Sequence, residues 1–130
     1  MLAKSCLLME NKNITWSNLA FLTQDIIDKI DSNTPGAYRL SYKDVDEKFY
    51  VFFVGQSDDI KQSLSTHLSG DEENICVKNF VATKKCAFKY SKIEDSDIRQ
   101  ATLREAYKLY QPTCNSGMPD GRDDIIVNLL

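Results

Sequence analysis

Two β-type runs joined by a short polar segment constrain the fold of this chain more than any other feature. Residues 49–54 are all aromatic or β-branched, which predicts a buried, central strand. Residues 37–42 form the other run, and the polar stretch 43–48 between the two predicts a β-hairpin. The second run ends at Gly55, directly before a predicted helix, so the hairpin can be both the centre of a small sheet and the floor of a site.

Helical periodicity is present on both sides of the hairpin. Apolar residues recur at three- and four-residue steps over 16–31, which predicts an amphipathic helix that the turn residues 33–36 end. Ser57 is the predicted N-cap of the next helix, with the aspartates 58–59 in its first turn and its end at residues 69–70.

The second half of the chain continues with alternating helices and strands. A helix is predicted over about 71–83, although β-branched residues there leave a strand open as the alternative. Alternating apolar residues over 86–90 predict a third strand. Asp95 or Ser96 is the predicted N-cap of a helix over about 97–110.

A chain of 130 residues is long enough for one compact domain with its own core. We divide it into an N-terminal arm and helix (1–34), a core (35–115) and a tail (116–130). The arm is expected to contain a short strand or packed segment at 5–10, and the tail a short edge strand at 125–127. These elements predict an α/β (α+β) fold in which a small, mostly antiparallel sheet of three or more strands is flanked by helices.

The overall charge argues against binding of a nucleic-acid phosphate backbone as the main role of the chain. The net charge is −3 and the pI about 5.1, whereas such proteins usually carry a basic excess, although a local basic face can exist on an acidic protein. No apolar run approaches the roughly 18 residues of a membrane-spanning helix, and we do not expect the first eight residues to be a signal peptide. We therefore expect an intracellular, cytoplasmic protein with no membrane partner.

The cysteines do not form a metal-binding pattern. No two of Cys6, Cys76, Cys86 and Cys114 have the C-x-x-C spacing, and His67 is the only histidine, so a zinc site is not expected. In a reducing compartment these cysteines are expected to be free thiols.

Three short motifs follow one another in an order known from one nuclease superfamily. Gly36-Ala37-Tyr38 has the pattern glycine–any–tyrosine, Phe53-Val54-Gly55 precedes a helix start, and Pro112-Thr113-Cys114-Asn115 has the pattern proline–any–any–asparagine. Over roughly 35–115 the sequence therefore resembles the GIY-YIG nucleases. The resemblance implies metal-assisted cleavage of a DNA phosphodiester, in which tyrosines and an arginine act at the water and the phosphate, and a glutamate binds one divalent metal ion.

Several groups of that chemistry are replaced in this chain. Tyr38 matches the first tyrosine of the family, and His67 lies where many members carry a histidine near the site. The resemblance assigns the second tyrosine to Phe53, the arginine to Ser63 and the metal-binding glutamate to Leu103. Loss of one such group raises the activation barrier by several kcal/mol, and loss of the metal-binding carboxylate prevents the metal ion from binding. The sequence therefore predicts no bound metal ion and no other cofactor.

The position of the glutamate has one alternative. Two residues along a helix correspond to a rotation of about 200°, so Glu105 points to the opposite side of the helix from Leu103. If the family's glutamate aligns with Leu103, the later helix positions that are apolar in the family are also apolar in this chain. If it aligns with Glu105, Lys108 falls on one of those apolar positions. We therefore prefer Leu103.

Basic residues interleaved with aromatic ones provide a candidate surface for nucleic acid. Lys84, Lys85 and Lys89 lie beside Phe88 and Tyr90 in the sequence, a composition found in proteins that bind single-stranded nucleic acid. A solvated face over a core explains the same pattern, and we favour that explanation.

The sequence thus predicts a degenerate, non-catalytic GIY-YIG-like domain that binds a protein partner or nucleic acid. The first alternative is an active Mg²⁺- or Mn²⁺-dependent DNA endonuclease that uses Tyr38, His67 and Glu105, with Lys61, as displaced catalytic groups. A second alternative is a structural module of a larger assembly, with the 16–31 helix as its contact.

Overall fold

The computed structural model describes residues 10–122 and 124–129 of the chain. In chain order its elements are β1 (Glu10–Asn13), β2 (Ala20–Phe21), α1 (Gln24–Ile27), β3 (Gly36–Lys43), β4 (Phe49–Ser57), α2 (Ile60–Leu68), α3 (Ile75–Thr83), β5 (Cys86–Lys92), α4 (Ser96–Tyr110) and β6 (Ile125–Asn128). Strands β2 to β5 form an antiparallel sheet in the order β2-β5-β3-β4, and β1 and β6 form a separate parallel pair. The predicted class, a small and mostly antiparallel sheet flanked by helices, is confirmed.

The central strand of the sheet is β3, which pairs with β4 on one side and β5 on the other. The prediction that residues 49–54 form the central strand is therefore wrong, because β4 lies at an edge. Its apolar composition has another cause. The register shifts between Leu40 and Ser41, so Phe52 is an extra residue in β4, and the bulge turns both Phe52 and Phe53 toward the core.

The two faces of the sheet are covered by different helices. Tyr38 and Leu40 of β3 share a core cluster with Ile60 and Leu64 of α2 and with Val77 of α3. Successive residues of a strand point to opposite faces. Accordingly, Ala37 belongs to a second cluster, where it meets Ala101 of α4. Helices α2 and α3 thus cover one face, and α4 covers the end of the other.

The N-terminal region differs from the predicted helix over 16–31. Within it the chain forms the short strand Ala20–Phe21 and the single helical turn Gln24–Ile27. The backbone N–H groups of Ser17 and Leu22 donate to carbonyl oxygens of β5 at 2.8 and 2.9 Å. Pairing with the edge of β5 outweighs the local helical periodicity, so the contact helix of the structural-module alternative does not form.

The first and the last of the described strands pair in the second sheet. Residues 5–9 of the predicted N-terminal strand lie outside the described part of the chain, and β1 begins at residue 10. The predicted strand at 125–127 is confirmed as β6, although it pairs with β1 and not with the main sheet. None of the helices that the structure describes combines the length and the apolar composition needed to cross a membrane.

The helices begin at side-chain caps. Asp59 is the N-cap of α2 and accepts a hydrogen bond from the backbone N–H of Gln62, so the predicted cap Ser57 is wrong; Ser57 is the last residue of β4. Asn74 caps α3, where the helix prevails over the alternative strand. Asp95 caps α4 by accepting two backbone N–H groups of its first turn.

A disulfide joins the start of α3 to the segment that follows α4. Cys76 and Cys114 are bonded, with their Cα atoms 5.3 Å apart. The expectation of free thiols is therefore wrong for these two cysteines, because the fold brings together two residues that are 38 positions apart in sequence. Cys86 is a buried free thiol, and Cys6 lies outside the described residues.

Candidate functional site

The candidate site is a buried pair formed by Tyr38 of β3 and His67 of α2. The tyrosine hydroxyl lies 2.8 Å from the histidine Nε2, and the two residues are only 5% and 8% exposed. Gly55, the partner of Tyr38 on β4, leaves room for the tyrosine ring, since a Cβ there would lie 2.6 Å from ring atoms. The fold therefore brings these two predicted site residues into direct contact.

A carboxylate bonds to the other ring nitrogen of His67. His67 Nδ1 bonds to Glu72 Oε2, and the Glu72 side chain is only 8% exposed. Glu72 Oε1 accepts the backbone N–H of Asn74 at 2.9 Å, so both carboxylate oxygens are occupied. Glu72 was not among the predicted site residues. The only sequence signal for it is an acidic residue in the short loop after the helix that carries His67.

The environment of Tyr38 holds its hydroxyl proton in place. Burial is the main cause that raises the pKa of Tyr38 far above the usual value of 10, and the negative charge of Glu72 adds to it. A hydrogen bond with Ser63 opposes the shift of this pKa without cancelling it. A phenol that keeps its proton at neutral pH can donate a hydrogen bond, but it cannot act as a general base.

Two of the substituted site positions surround the pair. The Phe53 ring packs edge-on against the His67 imidazole, with centroids 5.2 Å apart, and lies 6.2 Å from the Tyr38 ring. Ser63 Oγ donates to Ser57 Oγ at 2.7 Å. An aromatic side chain thus occupies the space beside the tyrosine and the histidine.

The other predicted catalytic residues lie elsewhere. Leu103 is half-buried and belongs to α4, as does Glu105, and α4 packs on the opposite face of the sheet from Tyr38. Glu105 pairs with Lys108 at 3.3 Å in a groove beside β6. Lys61 donates to a backbone carbonyl of the α1 region. Of the groups in the displaced-nuclease alternative, only Tyr38 and His67 meet.

The site offers few ligands to a divalent cation. Mg²⁺ and Mn²⁺ prefer several oxygen ligands. Across the residues that the structure describes, no group of three or more His, Cys, Asp or Glu side chains could hold a metal ion. Glu72 is the carboxylate at the pair, and its oxygens are engaged by His67 and Asn74.

The remaining motif residues have structural roles. A Cβ at Gly36 would overlap the carbonyl oxygen of Ser91 on β5, so the close approach of the two strands requires glycine there. The Asn115 side-chain amide donates to the Val54 carbonyl at 2.8 Å and accepts from the Val54 N–H at 2.9 Å. Gly36, Gly55 and Asn115 together fix the sheet around the site.

The three predicted nucleic-acid-binding lysines do not form one patch. Lys84 Nζ lies 6.0 Å from the ring centroid of Tyr42, a residue of the core cluster on the Tyr38 face. Lys85 Nζ lies 4.3 Å from the ring centroid of Phe21. Lys89 is paired across the sheet with Arg39, on the opposite face from Tyr38.

Comparisons with known proteins do not assign the chain to a family. No family model matches the sequence, and no curated protein matches it. The similarity to the GIY-YIG nucleases therefore depends on the motif residues of this chain and stays a prediction.

Proposed function

We propose that this chain is a GIY-YIG-like domain whose nuclease site is degenerate and whose role is binding. The observation that carries the proposal is the packing around the Tyr38 hydroxyl. This hydroxyl bonds to His67 at 2.8 Å, and the Phe53 ring packs against both residues. Metal-assisted cleavage needs an open site with room for a water, a phosphate and a cation. A buried, aromatic-lined pair supports the predicted non-catalytic domain over the active-nuclease alternative.

A binding role needs an exposed surface separate from the filled site. Large apolar side chains are exposed on the described surface, among them Phe21 at 41% and Leu109 at 60%. Exposed apolar and basic side chains fit either class of partner that the sequence predicts, a protein or a nucleic acid.

A cleavage assay tests the non-catalytic part of the proposal. Supercoiled plasmid and single-stranded DNA are incubated with the protein and Mg²⁺ or Mn²⁺, and strand breaks are followed on gels. We expect no cleavage above that of Tyr38→Phe purified in the same way. Metal-dependent cleavage by the wild type that Tyr38→Phe loses would favour the active-nuclease alternative and overturn the proposal.

A cytoplasmic location is also part of the proposal, and the disulfide makes it testable. Disulfides persist mainly in oxidising compartments, so the Cys76–Cys114 bond counts against this location. Alkylation of free thiols in freshly lysed cells, followed by mass spectrometry, measures the state of Cys76 and Cys114. Labelling of both cysteines supports the cytoplasmic location, and complete protection of both would refute it.

A further inference from the structure

The face of the sheet opposite the Tyr38–His67 pair is only partly covered. Helix α4 packs over the end that carries Ala37 and stops at Tyr110. Beyond that point an open groove of about 450 Å³ crosses the strands. Its lining includes Leu19, Arg39, Phe49, Val51, Lys89 and Tyr110.

The groove is positively charged although the whole chain is acidic. Arg39 and Lys89 lie opposite each other on neighbouring strands, and the residues that line the groove include no Asp or Glu. Lys85 extends the positive charge to the adjoining edge of the sheet, where its Nζ lies over the Phe21 ring. With a net charge of −3 for the chain, this local excess of cations is a specific feature of one surface.

Aromatic rings from the two outer strands, β2 and β4, lie beside these cations. Phe21 is 41% exposed, and its ring centroid lies 6.4 Å from that of Phe49. At the other end of the groove the Arg39 guanidinium lies between two rings, 4.9 Å from Trp16 and 4.8 Å from Tyr110. This stacking fixes the position of the arginine before any ligand binds.

We propose that this open face binds single-stranded nucleic acid, with bases stacked on Phe21 and Phe49 and phosphates held by Arg39, Lys85 and Lys89. Exposed rings beside a cationic groove are the features by which proteins hold unpaired bases and their backbone. A protein partner fits less well, because lysine is depleted in protein interfaces. The inference rests on the proposed binding role and names its partner.

Fluorescence anisotropy with labelled oligonucleotides tests the proposal. The probes are oligo-dT and oligo-U of about 12 nucleotides, which fits known site sizes of roughly 4–16, and a duplex of equal length. We expect the single strands to bind more tightly than the duplex, with affinity falling as salt rises. The two single strands show whether the chain prefers DNA or RNA.

Variants of the face are compared with matched variants on α3, which lies on the other side of the sheet. We expect Phe21→Ala to weaken binding about 5- to 150-fold, the value of one base–ring stack. Lys89→Ala should weaken binding and lower the salt slope by about 1. Ile75→Ala, which removes an exposed apolar side chain, and Lys78→Ala, which removes an exposed lysine, should leave the affinity unchanged. Circular dichroism checks that each variant is folded.

The outcomes separate this inference from the proposed function. Absence of binding to either single strand at low salt overturns the inference and leaves a protein as the partner of a non-catalytic domain. Equal losses in Lys89→Ala and Lys78→Ala also overturn it, because the attraction is then diffuse. Cleavage of the probes with added Mg²⁺ overturns the proposed function, whatever the affinities are.

Discussion

The two faces of the sheet use polar and aromatic side chains in opposite ways. On the filled face, Tyr38, His67 and Glu72 form a buried chain of hydrogen bonds that Phe53 packs against. On the open face, Arg39 and Lys89 border a groove that solvent can enter. Residue types that are common in catalytic sites are buried and hydrogen-bonded on the first face, and residue types that are common in binding surfaces are accessible on the second.

The two environments are separated by a single position along β3. Tyr38 and Arg39 are neighbours in sequence, yet strand alternation sends their side chains to opposite faces. The tyrosine enters the core cluster, and the arginine stacks between Trp16 and Tyr110. A shift of the β3 register by one residue would exchange the two environments, which explains why the tight glycine contacts that fix this register matter.

The largest expected effect is that of His67→Ala on the filled face. Its removal leaves the Glu72 carboxylate and the Tyr38 hydroxyl buried without their common partner. Each unsatisfied buried group costs about 1–3 kcal/mol, and more when it is charged, so we expect the free energy of unfolding to fall by about 3–5 kcal/mol. Urea denaturation measures this change. The control Glu105→Ala removes the acid of an exposed pair with Lys108, worth less than about 1 kcal/mol. Equal effects of the two substitutions would contradict the assignment of a structural role to the buried pair.

Removal of the disulfide is expected to have the next largest effect. The Cys76–Cys114 bond closes a loop of 38 positions, and opening a loop of this size should cost about 2–4 kcal/mol. Thermal melting of Cys76→Ser and Cys114→Ser, with and without reductant, measures the loss. Reductant should leave the melting temperature of both variants unchanged while lowering that of the wild type. An unchanged wild-type melt in reductant would argue against the bond.

Tyr38→Phe separates the hydroxyl from the ring on the filled face. The ring packing stays, but the Nε2 atom of His67 loses its partner at 2.8 Å. A buried group left without its hydrogen bond costs about 1–3 kcal/mol, and we expect a loss of this size in urea denaturation. No loss of stability would show that the hydroxyl is not needed for packing and would reopen a catalytic role for it.

The pH dependence of stability provides a further test of the filled face. Burial raises the pKa of the Cys86 thiol from 9.0 to about 11. Above pH 9 the unfolded chain therefore loses this proton while the folded chain keeps it. The contribution of the thiol to the free energy of unfolding is fully present below pH 9 and is lost as the pH rises toward 11. Urea midpoints at pH 8 to 11 should fall less steeply for Cys86→Ala than for the wild type. Identical slopes would mean that the thiol is accessible to solvent.

The smallest effect on stability is expected from Lys89→Ala on the open face. Lys89 is a partly exposed residue that lines the groove, and substitutions of this kind change the free energy of unfolding by less than about 0.5 kcal/mol. Its melting temperature should equal that of the control Lys78→Ala. A loss comparable to that of Tyr38→Phe would show that the groove is part of the packed structure and would remove the contrast between the two faces.

Much of the core could be predicted from local pattern, because its strands and helices have strong periodicity of their own. The hairpin, the strand that became β5 and the helix α4 are examples. The prediction of an N-terminal helix was wrong because the hydrogen bonds of Ser17 and Leu22 to β5 are non-local, and local periodicity does not reveal such bonds. The prediction of a central strand at residues 49–54 was wrong because the bulge at Phe52 produces the apolar pattern of a strand buried on both faces.

The candidate site was only partly predictable. The resemblance indicated Tyr38, His67, Phe53 and Ser63, and the structure brings all four to one place. Glu72 could not be found, since its contact depends on the path of the loop after the helix end. The separation of Lys84 from Lys89 likewise depends on which face each side chain occupies, and composition does not reveal this.

The segment after α4 has a consequence for how the molecule behaves among copies of itself. An edge strand presents unpaired backbone groups that can recruit a strand from another chain. Here the amide of Asn115 occupies both backbone groups of Val54, and the N–H of Cys114 donates to the Phe52 carbonyl at 2.8 Å. This part of the β4 edge is therefore not free to pair with a strand of another chain, and the Cys76–Cys114 disulfide anchors the segment that covers it.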